Sequence, residues 1–228
     1  MTLARPSVSI IVPTLNEEKN ISELLDNLAG LGADDIIIAD GGSTDRTREL
    51  TAGRARLIAG PANRGDQLNR GAAAATGDVL LFLHADVRLE PGALAPLRRA
   101  MAHPACPGGN FDIRYAGGDL PARVFTRVNR WRRRLGILYG DSGIFCRRDL
   151  FRKLGGFRDY PVLEDYEFAR RLAKRGKLAL LTEPIHVSDR RWRRAGLPRT
   201  LWSWFWIQAL YLIGVSPRRL ARMYRNVR

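Results

Sequence analysis

Several carboxylates in this chain stand where apolar runs give out. Asp40 closes Ile36-Ile37-Ile38-Ala39, Asp86 follows Val79-Leu80-Leu81-Phe82-Leu83 across His84-Ala85, and Glu164-Asp165 precedes a helical pattern at Phe168, Ala169, Leu172 and Ala173. A carboxylate in such a place can hold a hard cation or take up a proton. It can equally end a solvated loop or, at 164–165, open a helix whose macrodipole favours acids. Company changes the weighing. Thr14 and Asn16 follow a first apolar run, and Asp45 follows Asp40 through Gly41-Gly42-Ser43-Thr44. Polar residues thus gather behind three apolar runs. If those runs are parallel strands, this is the carboxyl edge where open α/β sheets bind ligands.

The elements needed to position these residues are legible in the pattern. Val8-Ser9-Ile10-Ile11-Val12 reads as a β-branched strand closed by Pro13. Thr14 and Glu17 have capping-box spacing, so a helix is expected to follow directly, with Ile21, Leu24, Leu25 and Leu28 on its inner face and Gly30 and Gly32 at its end. Ile36–Ala39 is a second strand, followed by a helix through Leu50 that the hydroxyls of Ser43 and Thr44 can cap, with Asp45 either capping it too or contacting a ligand. Leu57-Ile58, an alanine-rich helix over 65–75 and the strand at 79–83 repeat the plan. Apolar strands alternating with amphipathic helices predict a largely parallel sheet covered on both faces. Further on, Asn110–Tyr115 alternates like a strand, 122–134 is a basic helix, Gly140-Asp141-Ser142-Gly143 is a turn, and Ile144-Phe145-Cys146 and Leu178–Leu181 are strands.

With 228 residues, 45% of them hydrophobic, the chain suits one domain with one substantial core. Cys106 and Cys146 stand far apart, which suggests neither a disulfide framework nor a zinc site and fits a reducing cytoplasm. The first residues carry no export-signal pattern. Charge is divided unevenly. Residues 1–120 carry 12 basic and 15 acidic side chains, net −3, whereas 121–228 carry 26 and 8, net +18. A basic half of that size suits polyanions: nucleic acid, an anionic membrane surface or phosphorylated substrates.

The motifs together resemble a family 2 glycosyltransferase with the GT-A fold. They are Val12-Pro13-Thr14-Leu15-Asn16-Glu17, Asp40-Gly41-Gly42-Ser43-Thr44-Asp45, Asn63-Arg64-Gly65 with Asn69, Phe82-Leu83-His84-Ala85-Asp86, Gly155-Gly156-Phe157, Glu164-Asp165 and Arg190-Arg191-Trp192. In detail the chain is similar to a small bacterial subgroup with His-Ala-Asp in place of Asp-x-Asp. The resemblance implies a mixed, mainly parallel α/β sheet with helices on both faces, forming a GT-A domain over 1–196. Its nucleotide-binding part covers about 1–90 and its acceptor part about 91–196.

It also implies transfer of a sugar from a UDP- or GDP-linked donor to an acceptor hydroxyl, with inversion. A diphosphate leaving group needs positive charge beside it, so a divalent cation, Mg²⁺ or Mn²⁺, is expected. Asp86 is its implied ligand. His84 stands where the family has its first acid and contacts the metal, the ribose or a water. His186 is either a third metal ligand or an ordinary hydrogen-bonded histidine. Asp165 is the implied general base, its pKa open to being raised by Glu164 and by partial burial. Asp40 implies a base or ribose contact, with Pro13, Leu15 and Glu17 shaping the same pocket, and Arg64 reaches the phosphates or forms part of a turn. Arg190-Arg191-Trp192 is similar to an element that closes over the diphosphate. Ser188 stands where a Q-x-x-R-W pattern has its glutamine, so processivity is not implied.

The C-terminal part, 197–228, contains the uncharged run Leu201–Val215, with three of the five tryptophans, followed by Arg218, Arg219, Arg222 and Arg225. The run is short for a span. It reads as a helix lying in the headgroup region of an anionic membrane, or as one packed on the domain or at a homodimer contact. The first reading makes a lipid-linked acceptor and a peripheral place on the inner face of the cell membrane the expectation. Two alternatives compete. One is a nucleotidyltransferase, whose glycine- and arginine-rich first loop is missing at 13–17. The other is a non-enzymatic basic module binding nucleic acid or anionic lipid, indifferent to Asp86 and Asp165; with the motifs in place, no nucleic-acid partner is expected.

Overall fold

The computed structural model describes residues 5–115, 118–188 and 197–225. Its strands are β1 (Val8–Thr14), β2 (Asp35–Asp40), β3 (Arg56–Ala59), β4 (Val79–Phe82), β5 (Val87–Leu89), β6 (Gly108–Tyr115), β7 (Phe145–Arg147) and β8 (Ala179–Val187). They form one mixed sheet in the order β3-β2-β1-β4-β7-β6-β8-β5. β1 to β4 run parallel, β7 runs against β4 and β6, and β5 runs against β8.

The helices are α1 (Ile21–Ala29), α2 (Thr47–Thr51), α3 (Arg64–Ala74), α4 (Leu94–Ala102), α5 (Leu120–Arg134), α6 (Arg148–Lys153), α7 (Glu164–Ala173), α8 (Leu197–Leu212) and α9 (Pro217–Arg225). Alternation along each strand divides the core between the two faces. Val8, Ile10 and Val12 of β1 join Leu24 and Leu28 of α1, Leu97 of α4 and Phe125 of α5. Ile11 turns the other way, to Leu68 and Ala72 of α3, Phe151 of α6 and Phe168 of α7.

β4 and β5 are separated by only four residues, yet three strands lie between them in the sheet. A flat sheet would hold them about 19 Å apart, so the sheet curls to bring its far edge back toward β4. Asn27 of α1 fixes that edge, donating to the Leu89 carbonyl (2.8 Å) and accepting from the Leu89 N–H (3.0 Å).

Several expectations are corrected. Thr14 does not cap a helix: β1 runs through it, its hydroxyl turns toward Asp40, and α1 begins only at Ile21. Pro13 lies inside β1, because β4 pairs with β1 only over Val8–Ile11 and leaves Pro13 with a single ladder neighbour. β8 extends to Val187, so Pro184 and His186 are strand residues; Pro184 is tolerated beside a register shift between Asn110 and Asp112. The apolar C-terminal run is not one unit, since α8 starts at Leu197 and ends at Leu212, ahead of Gly214 at φ +94°. The short elements β5, α4 and α6 carry too few periodic residues to stand out in the sequence.

Candidate active site

Topology explains why distant residues meet. β4 is parallel to β1 and β7 antiparallel to it, so the end of β4 and the approach to β7 lie at the same rim. The Phe82 N–H bonds to the Ile144 carbonyl (2.9 Å), which sets the short 3₁₀ turn Gly140–Ser142 near His84. α3 and α7 reach the same rim through a reciprocal amide clamp. Asn69 Nδ2 donates to the Phe157 carbonyl and the Phe157 N–H donates to Asn69 Oδ1, both at 2.9 Å. Gly156, at φ +64°, is required there, because a Cβ would sit 2.5 Å from Asn69 Oδ1.

The resulting cluster contains Arg64, His84, Gly140, Glu164 and Asp165. Arg64 Nε lies 3.2 Å from Glu164 Oε1, an ion pair without hydrogen-bond alignment, and Arg64 Nη2 lies 4.0 Å from Asp165 Oδ2. Arg64 Nη2 also meets His84 Nε2. Arginine can only donate, so in this contact His84 Nε2 is the acceptor. Asp165 is held by main chain: Gly140 N–H donates to Oδ2 and Tyr166 N–H to Oδ1, each at 2.6 Å. A Cβ on Gly140 would lie 2.6 Å from Arg64 Nη2, 2.8 Å from Asp165 Oδ2 and 3.0 Å from His84 Nε2, so the close packing here needs a glycine.

The two adjacent acids differ in environment. Glu164 is buried, and desolvation, aided by the charge of Asp165 and opposed by Arg64, pushes its carboxyl up to about 7. The burial expected around Asp165 therefore falls most heavily on its neighbour. Leu163, at φ +64°, precedes both and makes the sharp entry into α7.

The loops after β1 and β2 are bound to one another. Asp40 is fully buried and accepts at both oxygens: from the Gly42 and Ser43 N–H groups (2.8 and 2.9 Å), from the Ser43 hydroxyl (2.5 Å) and from the Thr14 hydroxyl (3.4 Å). Asn16, at φ +56°, donates its N–H to Ser43 Oγ and accepts from the Thr44 N–H. Asp45 caps α2 through Thr47. Glu17 accepts from Asn20 Nδ2, while Leu15 is exposed. Pro13 lies in β1 behind this rim.

Asp86 is exposed in the turn after β4 and has no ion pair among the described residues. Among those residues no group of three or more His, Cys, Asp or Glu side chains could hold a metal by itself. A single free carboxylate still fits Mg²⁺ or Mn²⁺, which bind through one or two carboxylates with phosphate oxygens and water. His186 bonds to Glu90 (3.0 Å) and lies opposite Arg88 in the β5–β8 ladder. Arg190, Arg191 and Trp192 lie outside the described residues.

α8 reaches the site through side chains that sequence periodicity did not single out. The Tyr139 hydroxyl donates to Gln208 Oε1 (2.5 Å), and Tyr166 stacks on Tyr139 and meets Tyr211 edge-on at 5.8 Å between centroids. Burial pushes the Tyr139 phenol up to about 12, which keeps it a donor. Tyr139 and Tyr166 directly adjoin Gly140 and Asp165 in the chain, a closeness that was visible in the sequence without any partner to point at.

This curled mixed sheet, with loops converging at one rim, defines a GT-A fold. The chain belongs to glycosyl transferase family 2, whose family model matches residues 9–178, and it is a glycosyltransferase. It is 33% identical over 208 residues to a PGL/p-HBAD biosynthesis glycosyltransferase of Mycobacterium bovis, covering 81% of this chain and 76% of that one. Among solved structures, glucosyl-3-phosphoglycerate synthase of Mycobacterium tuberculosis, in complex with Mn²⁺, UDP and phosphoglyceric acid, superposes with a TM-score of 0.60 at 25% identity, covering 81% of this chain and 70% of that one. S. aureus TarS in complex with UDP-GlcNAc shares the fold, with a TM-score of 0.64 at 18% identity over 80% of this chain and 58% of that one.

Proposed function

We propose that this enzyme transfers a sugar from a UDP-sugar to an acceptor hydroxyl by direct displacement, with inversion at the anomeric carbon and Asp165 as general base. The observation that carries the reading is the meeting of Arg64, His84, Gly140 and Asp165 at one rim, with the exposed Asp86 two residues along the chain from His84. In the reaction the acceptor oxygen bonds to the anomeric carbon as the bond to the diphosphate breaks. The Gly140 and Tyr166 N–H groups fix the carboxylate of Asp165, which takes the acceptor proton. Arg64 presents a guanidinium to the departing diphosphate, and its contact with His84 orients it.

Asp86 would hold a divalent cation, which would supply further positive charge for that departure. The relative crystallised with UDP and Mn²⁺ favours UDP over GDP and Mn²⁺ over Mg²⁺. Pro13, Leu15, Glu17 and Asp40 shape the nucleotide side, Asp40 acting through the turn it builds. The aromatic group formed by Tyr139, Tyr166 and Tyr211 favours an acceptor with an apolar part. A lipid-linked alcohol at an anionic membrane surface, met by α8 and the arginines of α9, fits this. Among the described residues no helix is long and apolar enough to cross a membrane.

A thermal-shift comparison of UDP- and GDP-sugars, with and without Mn²⁺, tests the donor side, because a ligand that binds only the native state raises the melting temperature. A rise with a UDP-sugar that requires Mn²⁺ is expected. No rise with any nucleotide, combined with salt-sensitive binding of RNA or DNA, would overturn the reading in favour of a basic module.

A further inference from the structure

One helix face is left out of the core. Leu120, Val124, Val128 and Trp131 of α5, with Leu135 just past its end, are between 38% and 73% exposed. At 3.6 residues per turn they fall within an arc of about 80°. The opposite face does the anchoring. Ala122 and Phe125 enter the core, Asn129 donates to the Tyr115 hydroxyl, and Arg130 and Arg133 grip the buried Asp112 at 2.6 and 3.1 Å. α5 is thus apolar on two sides and needs only one of them to fold. Arg123, Arg127 and Arg134 line one border of the outer stripe, all exposed, and the helix contains no acid.

We propose that this stripe is an in-plane docking surface for an anionic lipid bilayer, with Trp131 and its aliphatic neighbours entering the headgroup boundary and Arg123, Arg127 and Arg134 meeting lipid phosphates. Charge selects the occupant. A second copy docked antiparallel about a two-fold axis would set arginine borders against each other, and a nucleic acid would answer the arginines but not the five apolar side chains. A basic helix with an apolar stripe and a tryptophan matches a bilayer interface on both counts. α8 repeats the chemistry, with Trp202, Phe205 and Trp206 exposed. The two helices are tied together near the site: Arg132 lies over the Tyr139 ring at 4.2 Å, and Tyr139 bonds to Gln208. Docking through α5 would therefore hold the acceptor side of Asp165 near the membrane. The proposal stands on α5 and does not depend on the identity of the donor.

The test is flotation of the full chain with phosphatidylglycerol-rich and with pure phosphatidylcholine vesicles. Wild-type protein is expected to float with the former, and Val128→Glu combined with Trp131→Glu to lower its partition about tenfold, as does Arg123→Glu combined with Arg127→Glu. Should the doubly acidic variant fold poorly, quenching by brominated lipid gives a second measurement, expected to fall when Trp131→Phe removes the reporter. The proposal is overturned if the stripe variants float like wild type, including the case in which only Arg218→Glu with Arg222→Glu in α9 abolishes binding. It is also overturned if wild type sediments as a dimer that the stripe variant dissolves without any change in vesicle binding, which would make a second copy the occupant.

Discussion

The loops after β1 and β2 and the rim built by β4, β7 and α7 are both rich in polar groups, but they use them in opposite ways. In the first, the buried Asp40 and the more exposed Asn16 and Asp45 accept from the N–H groups of Gly42, Ser43, Thr44 and Thr47, so the polar side chains make the loop. In the second, main chain holds the acid: two N–H groups fix Asp165, and the charges of Arg64, Glu164 and Asp165 are crowded together. A buried carboxylate with four satisfied contacts is a structural element. One gripped from behind, with a cation and a second acid beside it, is set up for chemistry.

Substitutions can break this contrast. The largest effect is expected for Asp165→Asn, a loss of about 10²–10⁴-fold in kcat with UDP-sugar affinity nearly unchanged, read by steady-state kinetics and calorimetry. Asp40→Ala leaves buried N–H groups without acceptors and should cost about 3–4 kcal/mol in urea unfolding. If that variant is instead fully stable and fails only to bind donor, the two regions are alike after all.

Glu164→Gln sharpens the comparison between neighbouring acids. Because the folded carboxyl titrates near 7 against an ordinary 4.5, the native state keeps a proton that the unfolded chain releases. Stability contributed at this site is therefore fullest below pH 4.5 and is lost as pH rises toward 7. The glutamine variant should gain about 3 kcal/mol over wild type at about pH 8 and almost nothing at about pH 4, measured by chemical denaturation. The smallest effect is that of Gly140→Ala. Its methyl group would displace Arg64 or Asp165 and lower kcat about tenfold with little change in melting temperature.

What could be read in advance divides along similar lines. The parallel strands β1, β2 and β4 and the inner faces of α1 and α7 are written in local periodicity, and the Asp, His and Gly motifs mark the rim because turns and strand ends demand those residues. The antiparallel return of β7, the curl that brings β5 round, and the clamp between Asn69 and Phe157 depend on pairings 64 to 100 residues apart, about which a local pattern is silent. Thr14 shows the limit in miniature: its spacing to Glu17 satisfies a capping rule, yet a buried Asp40 across the sheet claims its hydroxyl. Tyr139 and Gln208 were invisible for the same reason, being meaningful only as a pair.

The Asn69–Phe157 clamp has one more consequence. It fastens the helix that carries Arg64 to the segment leading into the helix that carries Asp165, and two facing amide bonds leave little freedom to slide. Arg64 and Asp165 are therefore carried on elements fastened to one another. Widening to admit a substrate is easier on the opposite side, where, among the described residues, α8 rests on the site through a tyrosine–glutamine bond and an edge-on ring contact.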